Sequence, residues 1–160
     1  MAANPDNFEE RVSVVVDTVL AVPAADPYFA GVPLLEERQG DINQTITAAL
    51  SKLGLCVIVV SADADGVVRN GASLSMRVRL VLQVTELPLL NQGATGTKKP
   101  ARNVAMRLIK DIDRKPNGLD VGQHMAGLNE ILIAEDQPFK LTKDPRCIVY
   151  QVAAYTKVEL

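Results

Sequence analysis

Met76–Glu86 reads MRVRLVLQVTE, and how this stretch is read decides the fold. Met76, Val78, Leu80, Leu82 and Val84 fall on one side of a two-residue repeat. Arg77, Arg79, Gln83 and Thr85 fall on the other, with Val81 the one apolar residue among them. Side chains along a strand point alternately to its two faces. This pattern therefore predicts a strand with one face in a core and the other wet or set against a partner. The stretch is about twice as long as an average strand. An antiparallel sheet with a single covered face accommodates it best.

Upstream, Leu55–Val60 (LCVIVV) is a short continuous apolar run, and its length and branched residues predict a buried strand. Ser61–Ser73 is polar and contains glycine, so it is expected to be a connection that returns the chain antiparallel into Met76–Glu86. Downstream, Leu87–Pro100 carries Pro88, Gly93, Gly96 and Pro100, and the sheet is expected to stop there. Lys99-Pro100 then leads into a helix. Ala101, Val104, Ala105, Leu108 and Ile112 make its apolar stripe, and Arg102, Arg107, Lys110, Asp111 and Arg114 lie opposite. Pro116-Asn117-Gly118 closes it with a turn.

Toward the N-terminus, Ile42, Ile46, Ala49, Leu50 and Leu53 form a second helical stripe, with Asp41 as its cap and Gly54 as its stop. Residues 23–40 hold Pro23, Pro27, Gly31, Pro33 and Gly40 and read as loop, with Tyr28 and Phe29 anchoring it on the core. A first helix is expected from an Asn4-Pro5 cap, through Glu9 and Glu10 at its positive end, to a stop at Pro23. Its stripe is Phe8, Val12, Val15, Val16 and Val19, although Val14-Val15-Val16 also suits a strand. Toward the C-terminus, Gly122 and Gly127 argue against a helix over 119–127. Ile131–Ala134 and Phe139–Thr142 are candidate short strands on either side of Pro138, and Lys143-Asp144-Pro145-Arg146 is a turn. Cys147–Val158 (CIVYQVAAYTKV) alternates as a long strand, apolar on both faces at its start, which suits a central position. The whole is a single α+β domain over 1–160: a two-layer sandwich with a mainly antiparallel sheet of about four strands and two to three helices packed on one face.

A chain of 160 residues buries about 70% of its unfolded surface, so no metal or disulfide staple is required. A net charge of −2 gives no overall attraction to nucleic acid or an anionic membrane. The absence of Trp and the 4% aromatic content argue against base-stacking platforms. The chain has no run of the ~18 apolar residues that a membrane span needs. It also opens with no basic segment before an apolar run, so no secretory leader is expected. Cys56 and Cys147 sit in apolar stretches and are expected to be reduced core thiols.

Several local patterns invite a chemical reading. His124 is the one histidine, lies between glycines and has no ligand-spaced partner, so a loop histidine is the simpler account. Asp63-Ala64-Asp65-Gly66 resembles the start of a calcium loop, but the acidic residue that should follow is missing, and a hairpin or surface turn is expected. Gly93–Lys99 resembles a phosphate loop, but Gly96 precedes Thr97 where that motif needs Lys. Lys98, Lys99, Arg102, Arg107, Lys110, Arg114 and Lys115 are seven of the chain's seventeen Lys and Arg. They read either as a basic face for nucleic acid or an acidic partner, or as a solvated helix face with local ion pairs. Arg77 and Arg79 raise the same question on the strand: they blunt a sheet edge or meet carboxylates of a neighbouring subunit.

The series GDINQTITAALSKLGLCVIVV, MRVRLVLQVTELPLLNQG, KKPARNVAMRLIKDI and VYQVAAYTKV, following an N-terminal helix, resembles the tail terminator and tail-completion proteins of long-tailed phages and their prophage relatives. The resemblance runs from about Phe8 to Val158 and rests on the order of elements. It implies a non-enzymatic virion protein, without cofactor or metal, assembled in the host cytoplasm. Six subunits would form a ring that caps the tail tube and faces the head–tail connector. Nucleic acid would be met only by passage through the lumen. Arg77, Arg79, Lys98, Lys99, Arg102 and Arg107 are then the expected interface or lumen charges. The alternatives are a small α+β ligand-binding or regulatory domain, which would show a concave apolar pocket, and an enzyme without a recognised motif.

Overall fold

The structure, a computed structural model, describes residues 7–36, 42–119, 130–135, 139–142 and 146–159. Its elements in chain order are α1 (Phe8–Ala24), a 3-10 turn (Pro27–Phe29), β1 (Leu34–Glu36), α2 (Ile42–Leu53), β2 (Leu55–Asn70), β3 (Ser73–Glu86), α3 (Pro88–Asn91), α4 (Ala101–Ile112), β4 (Leu132–Ile133) and β5 (Ile148–Glu159). The fold is α+β. The five strands make one sheet in the order β1-β2-β3-β5-β4, antiparallel except for the short β1–β2 pair.

β3 is the middle strand, and its alternation places one face in the core as expected; β5, expected as a central strand, lies inside the sheet beside it. β3 pairs with β5 without interruption from Ser75↔Glu159 to Glu86↔Ile148. Val78, Leu80, Leu82 and Val84 are fully buried on one face. Val57, Val59, Val152 and Ala154 lie beside them in register, and Val15, Val19, Val104 and Leu108 from α1 and α4 close the core from above. α2 is the crossover between parallel β1 and β2. It packs on β2 and α3, and its stripe residues Ile46, Ala49, Leu50 and Leu53 are only half-buried.

Ser61–Ser73 is not the connection expected from its polarity. β2 runs through it to Asn70, and the turn is confined to Gly71 and Ala72. Two bulges explain why the strand is hard to see. Val59 pairs with Leu82 but Ser61 pairs with Val81, so Val60 is surplus, and Ala64↔Val78 is followed by Val67↔Met76. Each bulge breaks the two-residue period, so the core side passes from Val57 and Val59 to Ala62 and Ala64. The Asp63–Gly66 stretch therefore lies within a strand, at the second bulge, and is neither a turn nor a loop.

Residues 23–40, expected as loop, contain the 3-10 turn and β1. Phe29 is buried, and the three residues of β1 are too short to show a period. The cap of α1 is Asn7, whose Oδ1 accepts from the Glu10 amide at 3.0 Å, and Pro23 stands inside the last turn. Leu87–Pro100, expected as loop, begins with the one-turn α3. Ile131–Ala134 does contribute β4, whereas Phe139–Thr142 makes only a single bridge, Lys140↔Tyr150. Asn4-Pro5, Gly40, Asp41, Gly122, Gly127, Pro138 and Lys143-Asp144-Pro145 lie outside the described residues.

Candidate assembly surfaces

The six basic residues singled out in the sequence fall into two groups on opposite sides of the sheet. Arg77 and Arg79 alternate with the core residues of β3 and so point away from α1 and α4. Arg77 reaches Asp65 across the second bulge, with Nη2 at 3.4 Å from its carboxylate and donating to its carbonyl at 3.1 Å. Its guanidinium also lies 5.3 Å from the ring centre of Tyr155. Arg79 is in register between Asp63 and Tyr155. This reverse face is apolar at one end, where Cys56 and Ile58 are buried, and charged toward the hairpin.

β1 pairs only with Val57–Val59, so among the described residues no strand pairs with the outer edge of β2 from Ser61 to Asn70. Such an edge presents a row of backbone donors and acceptors to any chain that can pair with it. Val67 there is 59% exposed. The opposite edge of the sheet is shielded: Asn117 Nδ2 donates to the Lys157 carbonyl at 3.1 Å, and Thr156 Oγ1 donates to the Glu130 carbonyl at 3.0 Å.

Lys98, Lys99, Arg102 and Arg107 gather on the helical side, around the start of α4. Their loop is organised by two residues that pattern alone does not flag, Glu86 and Asn91, both buried. Glu86 accepts from the Ala101 amide at 2.9 Å, from Asn91 Nδ2 at 2.6 Å and from Gln92 Nε2 at 3.3 Å. It thus places a carboxylate at the positive end of α4, a stabilising position for an anion. Asn91 Nδ2 also donates to the Lys99 carbonyl at 2.8 Å, and Asn91 Oδ1 accepts from the Thr97 amide and hydroxyl. Gly54 and Gly96 leave room for it: a Cβ on either would collide with the Asn91 backbone. The Gly93–Lys99 segment that resembles a phosphate loop is committed to this internal plug. The Lys98 amide donates to the Asn91 carbonyl at 2.9 Å, which holds Lys98 at a φ of 60°.

Arg107 is fixed from below. Nε donates to Asp26 Oδ2 at 2.6 Å and Nη2 to Asp26 Oδ1 at 3.1 Å, with Asp111 3.7 Å away. The hydrogen bonds from Arg107 hold the Asp26 carboxyl well below the usual range, helped by Asp111 and the Tyr28 amide. Burial, followed by the neighbouring Asp26, raises Asp111. The Tyr28 ring lies between two cations, Arg107 at 5.4 Å and Lys99 at 5.6 Å from its centre, a cation–π arrangement. Burial raises the Tyr28 hydroxyl.

Cys56 is pushed up to about 11, by burial first and by Cys147 second, so it stays protonated at neutral pH. Neither cysteine is in a disulfide; Cys56 is buried and Cys147 is half-buried. Among the described residues, no three His, Cys, Asp or Glu converge as metal ligands, and His124 lies outside them. The clefts beside Glu86 and beside Arg77, at about 220 and 230 Å3, fall below the 300–1,000 Å3 typical of ligand pockets, whereas a shallower groove beside Tyr28 and Met106, at about 420 Å3, lies within that range. None of the described helices is long and apolar enough to cross a membrane. In comparisons with known proteins, the chain matches no family model and no curated protein.

Proposed function

We propose that this chain is a structural subunit of a long-tailed phage or prophage virion, in which six copies close into a ring. The ring ends the tail tube and presents a surface to the head–tail connector. The observation that supports this reading best is the β2–β3 arm: among the described residues no strand pairs with its outer edge from Ser61 to Asn70, whereas on the other side of the sheet Asn117 and Glu130 bond to β5 beyond its pairing with β4. A single open edge can pair with the same edge of a second copy in a closed dimer, so a ring needs that edge to take a different segment of its neighbour, in a head-to-tail contact that closes by rotation. The mechanism is geometric: a closed ring seated on the last layer of the tube leaves no free site for another layer.

On the reverse face beside the arm, Arg77 is bonded to Asp65 and Arg79 stands in register with Asp63, so this surface carries charge of both signs. Light scattering coupled to gel filtration, with electron microscopy of the peak, tests the reading. A mass of about six chains and ring-shaped particles are expected. A monomer that persists at high concentration, with no ring in the micrographs, overturns it.

A further inference from the structure

On the helical side, well away from the β2 edge, a shallow groove of about 420 Å3 is lined by Tyr28, Asn103, Met106, Arg107 and Lys110. Its floor is apolar and accessible: Met106 is 56% exposed on a helix whose other large apolar side chains face the core. Arg107 forms one wall, and Asp26 and Asp111 hold it, so its charge is largely answered from within the fold. The charge offered outward therefore comes from Lys110 in the lining and from Arg102, which lies outside the lining, two turns back along α4; both are exposed and about 12 Å apart at 1.5 Å per residue. Lys99 above Tyr28 adds to it.

The same chain carries the opposite charge elsewhere. Glu9 and Glu10 are exposed in the first turn of α1. The Asp26–Arg107 bond ties the groove to the far end of that helix. Seventeen residues separate the two ends by about 25 Å. The acidic turn and the basic groove thus cannot meet within one copy, but they can meet between copies in a contact that repeats head to tail.

We propose that the first turn of α1 in one copy, through Glu9 and Glu10, docks into the Tyr28–Met106 groove of the next copy, between Arg102 and Lys110. This rests on the ring reading above and assigns it a second, electrostatic contact on the helical side. Met106 has the adaptable shape to fill such a contact. Exposed ion pairs weaken as salt screens them, so the contact is salt-sensitive.

The test is a charge swap in the full chain, read by light scattering at fixed concentration. Reversing the acids (Glu9→Lys with Glu10→Lys) and, separately, the bases (Arg102→Glu with Lys110→Glu) each raises the dissociation constant for assembly by about tenfold or more. Circular dichroism confirms that each variant is folded, and the second pair leaves α1 untouched. Combining all four substitutions in one chain restores assembly. If rings form normally in both reversed variants, or if the combined variant is no better than either, the docking is wrong while the ring reading stands. If the unaltered chain never assembles, the ring reading falls and takes this contact with it.

Discussion

The two ends of the β2–β3 ladder are built on opposite principles. At the Leu55–Glu86 end, β3 has neighbours on both sides and above it, and Glu86 and Asn91 spend their polar atoms on the loop that leads into α4. Toward the Asn70–Ser73 end, β3 stays paired to β5 as far as Ser75↔Glu159, but among the described residues no strand pairs with the far half of β2 on its outer side, and Arg77–Asp65 is an ion pair between two partly exposed side chains. One end is supported on all its strands. At the other, the outer half of β2 has support on one side only. The lesson is that long strands need not be equally supported along their length, and the unsupported part is where a function can be sought.

The largest effect is expected from breaking the supported end. Asn91→Ala removes a fully buried side chain that serves Glu86, Thr97 and Lys99 at once, and it takes one of three donors from a buried carboxylate. A loss of roughly 3–5 kcal/mol in urea unfolding is expected. Gly54→Ala comes next. Its φ of +75° and the collision of a Cβ with the Asn91 backbone both act against it, for a cost of about 3 kcal/mol.

The Asp26–Arg107 tie gives a smaller effect that depends on pH. Asp26 ionises below its ordinary value of 3.8 in the folded chain, so its contribution is present above that value and fades as pH falls beneath it. Asp111, raised by burial, acts in the opposite sense and is relieved in acid. Arg107→Gln should therefore lower the melting temperature at pH 7, and the gap to the unaltered chain should narrow at pH 3. A gap that is the same at both values would show that the tie is idle. The smallest effect belongs to the arm. Val67→Lys should leave the unfolding free energy within about 0.5 kcal/mol yet reduce assembly, because lysine on an exposed edge discourages strand pairing. If that substitution destabilises the subunit as much as Asn91→Ala does, the contrast between the two ends is wrong.

Much of this fold can be read directly from residue order. β3, β5 and the stripe of α4 obey simple periods over ten or more residues, and each sits where its period places it. The far half of β2 escapes the same test, because Val60 and the Asp65-Gly66 pair each break the alternation. β1 escapes because three residues carry no period. The basic residues of the candidate surfaces are visible as a cluster, but not their division between two faces. That division follows from pairing β3 with its neighbours and from a bond between Asp26 and Arg107, 81 positions apart. Asn91 is also a tertiary fact. The only hint is local, in Gly54 and Gly96, whose missing side chains make space for it.

The two surplus positions in β2 carry one more implication. Each adds a residue to β2 without adding a pair, and each tightens the local right-handed twist. A version of the chain lacking Val60 and one of Asp65 or Gly66 would keep every partner in the ladder, yet its arm would leave the body at a different angle. The strength of the hairpin and its aim are therefore set by different residues. Any assembly joined through that arm would take its curvature, and so its diameter, from two positions that add no pair to the ladder.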